Sequence, residues 1–437
     1  MTTSSSPPEE NNTEEKNIFV IGLDDSNEEV LRRIPGAGRY RFHGLLSPDE
    51  LQHGQIPIVE LVEKAVSQLD AFDGSIDAIV SYWDFPSSTM VAMLCEKYGL
   101  PGVSLEAVLK CEDKYWSRLE QAKVIDEVPS FGVVDLDQDD PRPPEGVDYP
   151  MWLKPVKSFS SELAFHVADD DEFEKAVAEI RAGVDRIGKP FDRILGMVDL
   201  PAEVADVGGS ACLAEGELSG VQAATEGYVY KGQITVYGVL DSINYPDTPS
   251  FLRHQYPSQL PEDAVERMKE ISVRVMEQIG FDNATFSIEF FCHPESGQAC
   301  LLEINPRHSQ SHAELFEYVD GVANHQIMVQ LGLGQDPGRR RNQGDYRIAG
   351  KWYHRRFRDA LVTRVPTRGE IADLEAEIPG VKIEPVAEKG IRLSELPEQD
   401  SYSYELAHIF VAAQTGREME SKYRRCVEAL RFDFEEG

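Results

Sequence analysis

Two acidic residues have the type and spacing to do chemistry together: Glu289 in TFSIEFF and Glu303 in LLEINPRHSQSH. Phe286, Ile288, Phe290 and Cys292 alternate with Ser287, Glu289 and Phe291, and Cys300, Leu302 and Ile304 alternate with Leu301, Glu303 and Asn305. This is the two-residue period of half-buried strands. Pro294-Glu295-Ser296-Gly297-Gln298 between them is a turn-rich loop. A hairpin symmetric about Ser296 pairs position 289 with position 303 and puts Glu289, Glu303 and Asn305 on one face. Like charges so opposed start about 5 Å apart and need a compensating cation. Two carboxylates and an amide oxygen suit Mg²⁺, a hard ion that takes its remaining ligands from water and phosphates. Arg307 shares that face if the strand continues, and it can grip an anion bidentately. On spacing alone, an amphipathic hairpin with a solvated acidic face fits equally well.

The elements that must position these residues divide 437 residues into about three units. From 17 to 110, apolar strands (NIFVIGL, DAIVSYW) alternate with helical patterns, the order of a small parallel α/β domain. Strand ends in such sheets form ligand crevices, so Asp24, Asp25, Trp83 and Asp84 are either pocket residues or turn and cap residues. IGLDD lacks the GxGxxG phosphate fingerprint, which disfavours a dinucleotide site. Glu112-Asp113-Lys114 opens a helical stretch to position 122, and a proline-rich acidic connector leads to the strand Met151-Trp152-Leu153-Lys154-Pro155. The polar loop 157–161 and a helix over 171–182 follow. Antiparallel strands are expected over 212–240, with turns at Gly216, Gly220 and Lys231-Gly232. A helix over 262–279 then enters the acidic hairpin.

Beyond 345 a third unit carries YRIAGKWYHRRF and a terminal helix over 419–430. Arg339, Arg340, Arg341 and Lys351, with Arg355, Arg356 and Arg358, concentrate positive charge in an otherwise acidic chain. They form either an anion-binding patch or a solvated basic face. The 43 basic and 77 acidic side chains leave a formal net charge of −34, which argues against nucleic-acid or anionic-membrane partners. Six scattered cysteines without a CxxC pair suggest neither a zinc site nor a disulfide framework. Residues 1–16 read as a disordered polar tail, and no run approaches a membrane span. A cytoplasmic protein is the expectation.

The order DK, a strand ending KP, AEGELSG, IE and EINPR resembles the ATP-grasp superfamily over about 110–333. EINPRHSQSH in particular is similar to the metal-binding strand of carbamoyl-phosphate synthetases, biotin carboxylases and amino-acid ligases. The resemblance implies an α/β chain with an α+β ATP-grasp fold. Its parts would be an N-terminal parallel α/β domain (17–110), an ATP-grasp domain (111–344) of two α+β subdomains with a lid-like part at about 151–240, and a C-terminal mixed domain (345–437). It implies ATP and Mg²⁺ as cofactors, with Mn²⁺ as a substitute.

Lys114 and Lys154 would then reach the phosphates, Glu215 would be the first acid of the adenine hinge, and Leu218 would pack on the base. Two positions depart from the pattern: Gly216 stands at the usual second acid, and Gln222 stands where a carboxylate usually holds the ribose. Lys157-Ser158-Phe159-Ser160-Ser161 replaces the frequent glycines, although hydroxyl and N–H groups can also cradle phosphate. Glu289, Glu303 and Asn305 would hold the metal, Arg307 would stand at the transferred phosphoryl group, and Ser309, Ser311 and His312 would line the pocket, with a structural hydrogen-bonding histidine an equal reading of His312. The implied activity is an ATP-dependent carboxylate–amine ligase working through an acyl phosphate, most like amino-acid ligases. A biotin-carboxylase-like activation of bicarbonate and a non-catalytic ATP-binding module are the alternatives. Small carboxylate and amine substrates follow as partners, and a homodimer is an open expectation.

Overall fold

The structure is a computed structural model and describes residues 15–52, 54, 56–158, 162–338, 342–396 and 402–436. Most of the expected tail, Phe159 to Ser161 of the phosphate loop, and Arg339, Arg340 and Arg341 lie outside the described residues.

The apolar run Ile18–Ile21 is almost wholly buried in β1 (Lys16–Ile21), which pairs in parallel with β2 (Tyr40–Leu45) and β3 (Ala78–Val80). Lys16 therefore already belongs to a strand, and its ammonium pairs with Asp77 at 2.9 Å. Asp24 follows β1 and caps the helix Asp25–Arg33 by accepting from the Asn27 N–H. The helices Ile58–Asp70 and Ser87–Tyr98 supply the expected α/β alternation.

A small antiparallel sheet comprises β4 (Phe131–Val134), β5 (Met151–Pro155), β6 (Phe165–Val167) and β7 (Cys212–Gly216), in the order β4-β7-β5-β6. Met151, Leu153 and Ala214 meet Phe173, Val177 and Ile180 of the helix Asp170–Gly183 in its core. This sheet runs from Phe131 to Gly216, whereas the expected lid-like part covers about 151–240. Gly220 lets the chain pass to the next sheet: its φ is +119°, and an added Cβ would lie 2.4 Å from the Cys292 carbonyl oxygen. Only glycine tolerates that turn and that approach.

The strands β8 (Val221–Tyr230), β9 (Gln233–Asn244), β10 (Phe251–Tyr256), β11 (Ala284–His293), β12 (Gln298–Asn305) and β13 (Ile348–Arg356) belong to one large sheet. After a short β14 (Leu361–Arg364) it is completed by β15 (Val381–Pro385) and β16 (Tyr404–Ala413), while β17 (Asp433–Glu435) pairs with β14. The large sheet runs β12-β11-β8-β9-β10-β13-β16-β15, all antiparallel. The third unit is thus a continuation of the central sheet through β10 and β13.

One face of this sheet is apolar along its length. Phe286, Ile288 and Leu301 pack on Met268, Ile271 and Val275 of the helix Glu262–Ile279. Farther along, Trp352 and Ile409 pack on Met419 and Cys426 of the helix Gly416–Ala429. The opposite face is mixed, with the acidic hairpin at one end and the helix Ala313–Asp320 resting its Leu315, Phe316 and Val319 on the middle. No helix among the described residues is long and apolar enough to cross a membrane.

Candidate active site

Glu289 of β11 and Glu303 of β12 stand directly opposite each other, as the alternation requires, and Ser287 opposes Asn305. The expected mirror about Ser296 fails one step farther on, where Phe290 pairs with Leu301. Leu302 is the extra residue of a β-bulge. The bulge changes which side chain enters the core: Leu301 is fully buried and Leu302 is only half-buried. It also turns two consecutive carbonyls toward Arg118, which donates to Leu301 O at 3.0 Å and Leu302 O at 2.6 Å.

The two carboxylates are electrostatically unequal. Burial and then the charge of Glu303 push Glu289 up to about 6. Burial acts the same way on Glu303, but the positive charges of Lys114 and Lys154 outweigh it and hold that carboxyl at about 2. Lys114 Nζ lies 3.0 Å from Glu303 Oε1 and donates to Ser158 O at 2.9 Å. Lys154, on β5, pairs with Glu215 at 2.6 Å, and Arg118 takes the other oxygen of Glu215 at 2.7 Å. Despite its burial, Glu215 is held at about 2 by these two cations.

Why the cations arrive together is visible in one helix. Asp113 accepts from the Trp116 N–H and caps the helix Lys114–Ala122, so Lys114, Arg118 and Gln121 fall at i, i+4 and i+7 on one face. Lys114, Arg118 and Lys154 line one small cavity with Glu215, Leu302 and Glu303. Beside it, Lys157 forms a buried ion pair with Glu112, which also accepts from Ser88 Oγ at 2.5 Å. The rings of Phe85 and Phe191 flank the Lys157 ammonium at 5.6 and 5.9 Å. Arg118 and the Glu112–Lys157 pair escape a motif reading. Only the four-residue step from Lys114 could have pointed to Arg118.

The remaining predicted residues fall in several places. Gln222 donates to Glu289 Oε2 at 3.0 Å, and Asn305 lies 3.4 Å from Glu289 Oε1. Gln222 therefore joins the acidic pair, because its position on β8 faces the same way as Glu289. Leu218 is half-buried in the β7–β8 turn. Arg307 pairs with Asp84 of the N-terminal unit, and its buried Nε has no hydrogen-bond partner among the described residues. Trp83 donates to Gly22 O at 2.8 Å, Asp24 serves as a cap, and Asp25 is exposed in the first turn of its helix.

His312 Nδ1 and the Ser309 N–H meet the fully buried Glu226 at 2.9 and 3.0 Å, and the Tyr237 hydroxyl donates to it at 2.9 Å. Burial raises Glu226 to about 8, while burial and the charges of Lys351 and Arg307 press His312 down to about 3. The Ser311 hydroxyl lies 3.4 Å from Lys351 Nζ.

Among the described residues no three His, Cys, Asp or Glu side chains gather around one point. The donor set is two carboxylates and amide groups. Such an oxygen-rich, incomplete set suits a hard divalent ion that keeps sites for water and phosphate.

Residues 147–313 match the family model of the ATP-grasp domain, so the chain carries that domain. The matched stretch contains Lys154, Glu289, Glu303 and Arg307, while Lys114 precedes it and Lys351 follows it. The N-terminal section of the carbamoyl phosphate synthase large chain of Methanopyrus kandleri is 22% identical over 236 residues, 53% of this chain and 38% of that one. The chain thus spans well under half the length of this curated relative. An L-amino acid ligase of Bacillus licheniformis superposes with a TM-score of 0.70 over 97% of this chain and 100% of its own, at 15% identity. A biotin carboxylase–ATP-analogue complex from Campylobacter jejuni superposes with a TM-score of 0.60 over 97% and 93%, at 14% identity. The chain has the α+β ATP-grasp fold.

Proposed function

We propose that this bearer of an ATP-grasp domain is an ATP-dependent carboxylate–amine ligase, in which a substrate carboxylate becomes an acyl phosphate and an amine then displaces phosphate to form an amide. The observation that carries the reading is the opposed Glu289–Glu303 pair facing two lysines from separate elements, with Arg307 two residues beyond its strand.

Glu289, Glu303 and Asn305 would hold Mg²⁺, which when bound neutralises phosphate charge. Lys114 and Lys154, now set against Glu303 and Glu215, would donate to phosphate oxygens and fix their direction. Arg307 pairs with Asp84, and its buried Nε has no hydrogen-bond partner among the described residues. It is therefore prepared to stabilise negative charge on the transferring phosphoryl group. Positioning and charge carry the reaction, with no nucleophile from the protein.

The test is phosphate release from Mg-ATP across a panel of carboxylic acids, bicarbonate included, with and without amines. Release that depends on an acid–amine pair is expected. Release that depends on no such pair refutes the ligase reading, and dependence on bicarbonate alone favours the carboxylase-like one. Glu303→Gln should abolish turnover while circular dichroism and the unfolding midpoint show an intact fold. Normal turnover by that variant would sink the metal assignment.

A further inference from the structure

Lys351 lies on the same face of the large sheet as the acidic pair and is only 7% exposed. The cations around it are matched: Arg307 with Asp84, Arg355 with Glu405, and Lys382 with Glu314 and Glu384. Lys351 has no carboxylate partner among the described residues. Its contacts are the rings of Tyr353 and Phe410, 5.1 and 5.4 Å away, and the Ser311 hydroxyl at 3.4 Å. Ring faces return only part of the hydration a buried ammonium gives up, which is why such groups are ordinarily paired.

Strand register ties this amine to the reaction centre. Gln222 opposes Ser242, Ser242 opposes His254, and His254 opposes Lys351, so these four side chains form one row across the sheet. The row begins at the amide that donates to Glu289. Three strand spacings of about 4.8 Å separate the backbones of Gln222 and Lys351 by about 14 Å. Ser311, which the ammonium reaches, belongs to the turn Gln310–His312 that follows Arg307. Glu314 and Glu405 act on Lys351 electrostatically, but each is paired with another cation, Lys382 and Arg355. Burial, His312 and Lys351 itself keep His254 well below the usual imidazole range, and Glu226 is raised to about 8 by burial.

We propose that Lys351 receives a substrate carboxylate other than the one being activated. The substrate pair then includes a molecule with an additional carboxylate: a dicarboxylic acid on the acid side, or an amino acid as the amine. This inference rests on the ligase reading and assigns the substrate class of the same site.

The experiment uses the full chain as wild type, Lys351→Met and Lys351→Arg. Phosphate release is measured with a monocarboxylic acid plus a simple amine, a dicarboxylic acid plus a simple amine, and a monocarboxylic acid plus an amino acid or its amide. Lys351→Met should raise KM for the partner bearing the extra carboxylate by about ten- to a hundredfold and leave KM for ATP unchanged. Lys351→Arg should recover most of that loss, and the amide should be used equally by wild type and Lys351→Met. Equal KM values in wild type and Lys351→Met overturn the proposal, as does an equal loss for partners lacking the extra carboxylate. A second measurement separates this from failure of the ligase reading: the shift in unfolding temperature given by the same carboxylates without ATP. A shift in wild type that Lys351→Met loses supports the carboxylate site even if nothing turns over. No shift in wild type, or the same shift in both, counts against it.

Discussion

At the residue scale the site is a balance of like charges against a few buried cations. Glu289 stands at about 6 against an ordinary 4.5, so in the absence of metal its carboxyl stays protonated in the fold where the unfolded chain has already ionised. Its contribution to stability is present below about pH 4.5 and is lost as pH rises through about 6. Mg²⁺ competes with that proton, so calorimetric Mg²⁺ affinity should rise with pH through about 6. Glu303→Gln, which removes the neighbouring charge, should shift the midpoint downward, and an unshifted midpoint would argue against coupling between the pair. Arg118 makes a prediction of the opposite kind. Arg118→Met leaves Glu215 with Lys154 alone and strips two bulge carbonyls of their donor. Breaking so buried a pair costs about 3–5 kcal/mol, to be read from denaturant unfolding.

At the scale of elements, the hairpin β11–β12 was legible because apolar residues on alternate positions must face the helix Glu262–Ile279, which leaves Glu289 and Glu303 on the other side. The bulge at Leu302 was not legible. Alternation reports which side a residue faces but not where one strand gains a residue on its partner, and the two bulge carbonyls find their donor in Arg118 on another helix. The same limit explains Gln222, whose role came from the strand that happens to lie beside β11. Gly220 was readable as a turn, although its closeness to the Cys292 carbonyl was not. Gly220→Ala should cost about 1–3 kcal/mol through strain at the passage between sheets. Chemical denaturation can measure this, and a neutral substitution would show that the passage relaxes freely.

At the scale of the whole molecule, a net charge of −34 sets a background of self-repulsion on which the few buried cations work. Screening that repulsion should raise the unfolding temperature as salt increases from low concentration to about 0.5 M. A falling temperature would show that the ion pairs outweigh the net charge. The parts of the molecule also meet through charged contacts: Asp84 of the N-terminal unit on Arg307, and Lys351 of the C-terminal unit on the turn after it. By itself the sequence determined the strand alternation, the opposition of Glu289 and Glu303, and the helical stretch that Lys114 opens, since these follow from local periodicity and residue chemistry. Only the tertiary structure decided that Arg118 and Lys154 share Glu215, that β13 extends the central sheet, and that Lys351 is buried with no ion-pair partner among the described residues. Those facts depend on which distant strands lie side by side, and no local pattern records that choice.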